Sequence, residues 1–314
     1  MSILGKPYFH DEAAAFEHVE SVIWPDGPVC PHCGALDRIS KIAPNPKARV
    51  RFGLHKCGHC KGQFTVRVGT VFEASKVPLH KWLQAIYLMC SNKNGISAHQ
   101  LHRVLEVTYK TAWFMEHRIR QAIRDGDLSP FDPNGGAVEV DETFISHDAT
   151  IKPRHSKKGR GVAHKRKVLA LVDRGSGRAR TMVVDDLKAS TIAPIVRENV
   201  ASEAHLMTDE GCYHTLVSRE FAAHGVVRHN RGEYGRSYTH MNTIEGCFSI
   251  SKRGMKGVYQ RCAKRHLNRY LAEFEFRYNN RVANGLRDSA RSAIALRGTV
   301  GKRLIYGDSS ATRG

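Results

Sequence analysis

Residues 137–145 read AVEVDETFI. The composition is that of a β-strand, and Asp141 stands in it among apolar positions. A carboxylate there is expensive, because desolvation disfavours its charge; a cation, usually a metal, offsets that cost. A second acid, Asp209, ends the short apolar strand HLMTD (205–209). A third, Glu245, lies in HMNTIEGCFSISKRGMKGVYQ (240–260), which reads as a helix. Seven residues span almost two helical turns, so Glu245 and Lys252 share a face, and Asn242, one turn earlier, joins it. Ile244 and Phe248 lie elsewhere and can bury the helix. Any one of these acids alone is more often a cap or a surface charge. Three at these element positions ask for more.

Around these residues strands and helices alternate. KVLALVD (167–173) and RARTMVV (178–184) are strands joined by the turn RGSG; KASTIAPIVRENV is helical; GVVRH (225–229) is a short strand. HLNRYLAEFEFRYNNR (266–281) is a helix with Leu267, Leu271, Phe274 and Tyr278 as its apolar stripe. The order β-β-β-α-β-(α)-β-α-α describes an α/β layer fold on a mixed sheet. The final ~25 residues are polar and basic and read as a frayed tail. Upstream, RDGDLSPFDPNGG (124–136) is dense in Asp, Pro and Gly and reads as a linker.

Before the linker, residues 9–23 read as a helix capped by Asp11. VCPHCG and HKCGHCKGQF supply Cys30, Cys33, Cys57 and Cys60. Each CxxC aims two thiolates at one ion, so the pairs form a tetrahedral four-cysteine zinc ribbon, structural because sulfur fills every position. QFTVRVGTVFE then alternates like a strand through Val68. PLHKWLQAIYLMC carries a helical stripe of Leu79, Trp82, Leu83, Ile86 and Cys90. Ser97 caps a second helix to about Leu105, and Thr108 caps a third from Tyr109 to Arg124, which together fit a helix-turn-helix. The third helix carries Lys110, Arg118, Arg120 and Arg124, read as an outer face for DNA. Cys90, Cys212, Cys247 and Cys262 read as buried packing residues.

The chain has 314 residues, 41% hydrophobic and 25% charged, with a formal charge of +19. That composition is globular, long enough for two or three domains, and biased toward a polyanionic partner, above all nucleic acid. No apolar run approaches the ~20 residues that span a bilayer, and the N-terminus lacks the pattern of a signal peptide. The expectation is a cytoplasmic protein.

The sequence resembles the DDE transposases of bacterial insertion sequences, in the group with an N-terminal zinc ribbon and an ISXO-type transposase domain. The likeness runs over about residues 10–285 and is carried by WPDGPVCPHCG, KWLQAIYLM, VEVDETFI, TDEGCYH, the 240–260 stretch and HLNRYLAEFEFRYNNR. The resemblance implies a ribonuclease H-like catalytic domain over 136–285, preceded by a helical segment (1–27), a zinc ribbon (28–74) and a helix-turn-helix (75–126), and followed by a basic tail (286–314). It implies metal-dependent cleavage and strand transfer at element ends. Asp141 and Asp209 would be the first two acids, with two Mg²⁺ (or Mn²⁺) ions as cofactors. The third position stays open between Glu245, separated from Asp209 by 35 intervening residues and with Lys252 seven beyond, and Asn242. Lys252 and Arg253 would hold a phosphate. Partners would be double-stranded DNA (element ends and target) and a second copy of the chain on DNA; the setting would be the bacterial nucleoid. Cys247–Phe248 departs from the bulkier aromatic pair of this group. A DNA-binding regulator with an inert α/β domain, and a nuclease or resolvase on the same fold, are the competing readings.

Overall fold

The computed structural model describes residues 2–45, 47, 50–124, 126, 129–147, 165–209, 219–227, 238–260 and 262–305. Cys212, residues 228–229 of the expected strand and the chain end from 306 lie outside them. The chain forms two compact units: Met1–Arg124 together with Gly285–Gly314, and Asp125–Asn284.

In the first unit, Asp11 caps α1 (Glu12–Ile23), its carboxylate accepting the Ala14 N–H at 2.7 Å. A three-stranded antiparallel sheet follows: β1 (Ile39–Lys41), β2 (His55–Cys57) and β3 (Gln63–Phe64). β3 ends at Phe64, short of the strand expected through Val68. Instead, successive i to i+3 turns carry the chain from Thr65 to Ser75, and Arg67 pins them by donating to the Ser75 and Val77 carbonyls. The alternation of Phe64, Val66 and Val68 is real, but Val66, Val71 and Phe72 are buried by turns, not by a pleat.

Next come α2 (Leu79–Ser91), α3 (Ala98–Leu105) and α4 (Tyr109–Ala122). Ser97 and Thr108 cap α3 and α4 through their side chains, and Glu106 makes the turn between them in the left-handed region at φ 52°. The expected stripe of α2 is its buried face. The expected tail is not frayed over its first part. Asp288–Arg297 is a helix, designated α8, packed on α2 with Ala295 and Leu296 buried. Arg291 donates to the Cys90 carbonyl at 2.7 Å, and Gly298 passes so close to α4 that a β-carbon would lie 2.5 Å from the Ala122 carbonyl oxygen.

The basic face assigned to α4 is also corrected. Arg120 is fully buried and paired with Glu116 at 3.1 Å; Arg118, 8% exposed, donates to the Leu304, Val71 and Glu73 carbonyls. Both cations are held by the protein's own oxygens inside the unit, so neither is displayed to DNA. Lys110 and Arg124 are exposed.

The second unit is a five-stranded mixed sheet in the order β6-β5-β4-β7-β8. β4 (Ala137–His147), β5 (Lys165–Asp173) and β6 (Ala179–Val184) form an antiparallel meander; β7 (His205–Thr208) and β8 (Ala223–Val226) continue the sheet parallel to β4. This is the ribonuclease H-like arrangement. On one face Val138, Val140, Leu169 and Leu171 pack on Ile192, Ala193 and Val196 of α5 (Ala189–Asn199). On the other, Ala137, Ala170 and Val172 pack on Ile244, Cys247 and Phe248 of α6 (Asn242–Gly254). α7 (Lys264–Asn279) buries its expected stripe. It also shields the outer edge of β6, with Glu275 and Asn279 accepting the Thr181 and Ala179 N–H groups. The second half of the expected linker belongs to this unit: Phe131 is buried and bridges Val200. Cys90, Cys247 and Cys262 are buried, as expected.

Candidate active site

Two acids expected from sequence meet because of strand register. β4 and β7 run parallel with Val140 opposite Thr208, so Asp141 and Asp209 leave the pair side by side. The two-residue period puts them on the face of Ala137 and Met207, the face covered by α6. Carboxylate oxygens of Asp141, Asp209 and the adjacent Glu142 lie within 4.8 Å of one another. Glu142 was not singled out from the sequence, though the doubled acid in VDETF was its visible signal.

Glu245 falls outside this three-carboxylate cluster, on the exposed side of α6, yet its charge reaches Asp141. The Asp141 carboxyl is pushed up from 3.8 to about 7, first by burial and then by the Asp209 charge. Glu142 and Glu245 add to the rise, while the Glu142 N–H, 2.7 Å from Asp141 Oδ1, opposes it. Such clustering of like charge is a usual mark of a functional site. Hard oxygen donors are what Mg²⁺ prefers, so this donor set fits the ion.

Asn242 opens α6 and is exposed, as are Lys252 and Arg253. The Lys252 ammonium lies 5.6 Å from the Phe248 ring centre, and Arg253 donates to Ser249 Oγ at 3.2 Å. The helix therefore shows Asn242, Glu245 and Lys252 to solvent, as its spacing implies. Neither Glu139 nor Arg174 stands out in the sequence. Glu139 is fully buried on the same face of β4 as Asp141 and pairs with Arg174 at 2.6 Å.

In the first unit the four expected cysteines converge. Their sulfurs all lie within 4.8 Å of one another, with Cys30–Cys60 and Cys33–Cys57 both at 3.7 Å. Tetrahedral sulfur ligands about 2.3 Å from zinc stand ~3.8 Å apart, so the geometry fits the ion. The Cys60 N–H and then the His59 N–H draw the Cys57 thiol down to about 6, whereas Cys33, against the pull of the Ala35 N–H, is pushed up to about 12 by desolvation and the three neighbouring sulfurs, so crowded thiols ionise unequally until a cation neutralises them. Phe64, Trp24 and Ile39 pack around the buried Cys30 and Cys57.

Residues 10–63 match a family described as a transposase zinc-ribbon domain, and residues 134–279 one described as an ISXO2-like transposase domain. An uncharacterized transposase-like protein of Haemophilus influenzae is 30% identical over 101 residues, 32% of this chain and 80% of its own length. The chain belongs to the zinc-ribbon, ISXO2-like transposase family. A protein in transposable element ISH50 of Halobacterium salinarum is 28% identical over 282 residues, 86% of this chain and 91% of its own. One solved chain aligns at 14% identity over 62% of this chain and 65% of its own, with a TM-score of 0.28. It comes from a simian T-cell lymphotropic virus intasome in complex with PP2A regulatory subunit B56 gamma. In this transposase the zinc-ribbon match contains all four cysteines, which supports zinc as the metal they would hold. The residues between the two matched ranges carry α2, α3 and α4. Among the described residues, no helix is long and apolar enough to cross a membrane.

Proposed function

We propose that this transposase cuts and joins DNA strands at the ends of its element, with divalent metal held by Asp141 and Asp209. The observation that carries the reading is the convergence of these two carboxylates and Glu142 where β7 ends beside the middle of the parallel strand β4. Bound there, Mg²⁺ supplies the positive charge that activates water and neutralises the phosphodiester. Asp141 would hold the metal in its ionised form, the ion offsetting the burial and the Asp209 charge that oppose ionisation. Glu245 and Asn242 on α6 are the candidates from the opposite element, and Glu142 joins them as a third. Lys252 and Arg253 present cations to a phosphate beside the acids.

DNA recognition falls to the first unit and to a net charge of +19. With Arg118 and Arg120 inside the core, the open part of α4 is its first turn, where Tyr109 and Lys110 are exposed. N-terminal residues of a recognition helix are those that reach base edges in a helix-turn-helix. A cleft of about 310 Å³ lined by Lys76, Lys110, Thr111 and Phe114 runs beside that turn. Pairing of two element ends calls for at least two copies of the chain on DNA.

The test is cleavage of DNA carrying the element ends in Mg²⁺. Asp141→Ala and Asp209→Ala should bind the ends and cut nothing, whereas normal cutting by either would overturn the reading. Comparing Glu245→Ala, Asn242→Ala and Glu142→Ala assigns the third position. Joined products separate a transposase from a resolvase, and metal-dependent nicking separates either from a DNA-binding regulator.

A further inference from the structure

Glu139 is placed oddly for a residue of a sheet interior. It stands between Val138 and Val140 with 0% exposure, and both of its carboxylate oxygens accept hydrogen bonds. Its Oε2 accepts the Ile244 N–H at 2.8 Å, and its Oε1 accepts Arg174 Nε at 2.6 Å. Arg174 donates onward to the carbonyls of Tyr238 and His240, the residues that enter the helix, and faces His240 Nδ1 at 3.1 Å. Met241, at the N-cap of α6, makes no side-chain cap. A carboxylate from another strand therefore satisfies one of the open N–H groups of the first turn, at the end where the helix dipole favours negative charge.

Stability alone is a poor reason for this pair. Buried ion pairs are often matched or bettered by apolar residues of the same volume, whereas removal of one partner is costly. The placement gives a different reason. Glu139 is two residues from Asp141 on one face of β4, and its grip is on the residue before Glu245. One rigid strand thus fixes both sides of the acid site.

We propose that the Glu139–Arg174 pair is a positioning clamp that sets the first turn of α6, with Asn242 and Glu245, over Asp141 and Asp209. This rests on the metal reading above. Neither clamp residue need touch metal or DNA; both act through the side chains at 242 and 245.

The experiment is Mn²⁺ binding to the zinc-loaded full chain, followed by electron paramagnetic resonance of free Mn²⁺. Loss of outer-shell support typically weakens metal binding 10- to 100-fold. Glu139→Ala should weaken it by at least tenfold. Glu139→Gln, which keeps the acceptor for the Ile244 N–H but loses the charge facing Arg174, should fall between Glu139→Ala and the native chain. Glu139→Ala added to the double variant Asn242→Ala/Glu245→Ala should cost nothing more, because the groups it positions are gone. Glu273→Gln, which breaks a buried pair with Arg277 on α7, is the control for general destabilisation and should keep native affinity. Native Mn²⁺ affinity in both Glu139 variants overturns the clamp, and so does an effect of Glu139→Ala that is undiminished in the double variant. If Glu139→Ala fails to fold, Glu139→Gln and Arg174→Lys carry the same comparison. Native affinity in Asp141→Ala and Asp209→Ala would instead sink the metal reading itself.

Discussion

Replacing Asp141 by Asn should stabilise the sheet unit when Mg²⁺ and Mn²⁺ are absent. Asn keeps an oxygen for the Glu142 N–H and removes the charge that burial, Asp209, Glu142 and Glu245 oppose. The folded-state carboxyl is pushed up from 3.8 to about 7. Between those values the folded chain holds a proton that the unfolded chain has released, so stability falls as pH rises and the loss is complete above the folded value. About three units at ~1.4 kcal/mol each amount to about 4 kcal/mol. The advantage of Asp141→Asn should be about 1–2 kcal/mol at pH 5 and about 4 kcal/mol at pH 8, because roughly one unit of the window has been crossed at the lower pH. The three tryptophans, Trp24, Trp82 and Trp113, all belong to the first unit, so fluorescence does not follow this unit. Hydrogen exchange of the β4 and β5 amides does, with zinc left in place. Saturating Mg²⁺ should stabilise the native chain and not the variant. An advantage that is absent at pH 8, or that does not grow between pH 5 and pH 8, would refute the reasoning.

Removing zinc should unfold the ribbon and leave the β4 and β5 amides protected; Co²⁺ in its place should give a thiolate charge-transfer band that Cys57→Ala weakens. Persistent protection of the ribbon without metal would contradict the assignment. Arg120→Ala should destabilise the first unit by about 3–5 kcal/mol, since it strands Glu116, as read by tryptophan fluorescence in urea. Below its melting range the same variant should bind DNA like the native chain. Lys110→Ala should leave stability unchanged, weaken DNA binding and lower the salt slope by about 1. Equal effects of these two substitutions on binding would restore the outward face that the fold denies.

Much of this architecture is legible in the sequence because each long element repeats its apolar residues at its own period. The stripe of α2, the apolar run of β5 and the side-chain caps at Asp11, Ser97 and Thr108 are local signals, and local interactions form them. The four cysteines are legible for the same reason. The misreadings concern residues whose partners no periodic pattern names. A guanidinium on a helix looks alike whether it meets water or, like Arg118, the Leu304 carbonyl nearly two hundred residues on. The segment 288–297 looks like a tail until α2 gives Ala295 and Leu296 a surface to cover. β3 stops early because Arg67 bonds to Ser75 and Val77, a contact that no alternation pattern contains.

The acid site divides along the same line. Asp141 and Asp209 are visible one at a time as misplaced charges, and only the register of Val140 against Thr208 makes them neighbours. Glu142 is hidden because the period of a strand points it away from Asp141, whereas in the fold its carboxylate lies within 4.8 Å of those of Asp141 and Asp209. Glu139 is hidden because a carboxylate in a strand announces a cost without naming the helix that offsets it.

The central claim is that Asp141 and Asp209 hold a divalent ion together. Crystals of the full chain soaked in Mn²⁺ test it most directly, through the anomalous signal of the metal. The account predicts a peak bonded to oxygens of both Asp141 and Asp209, lost in Asp209→Ala. A well-occupied Mn²⁺ elsewhere on the chain, with none between these two carboxylates, would contradict it.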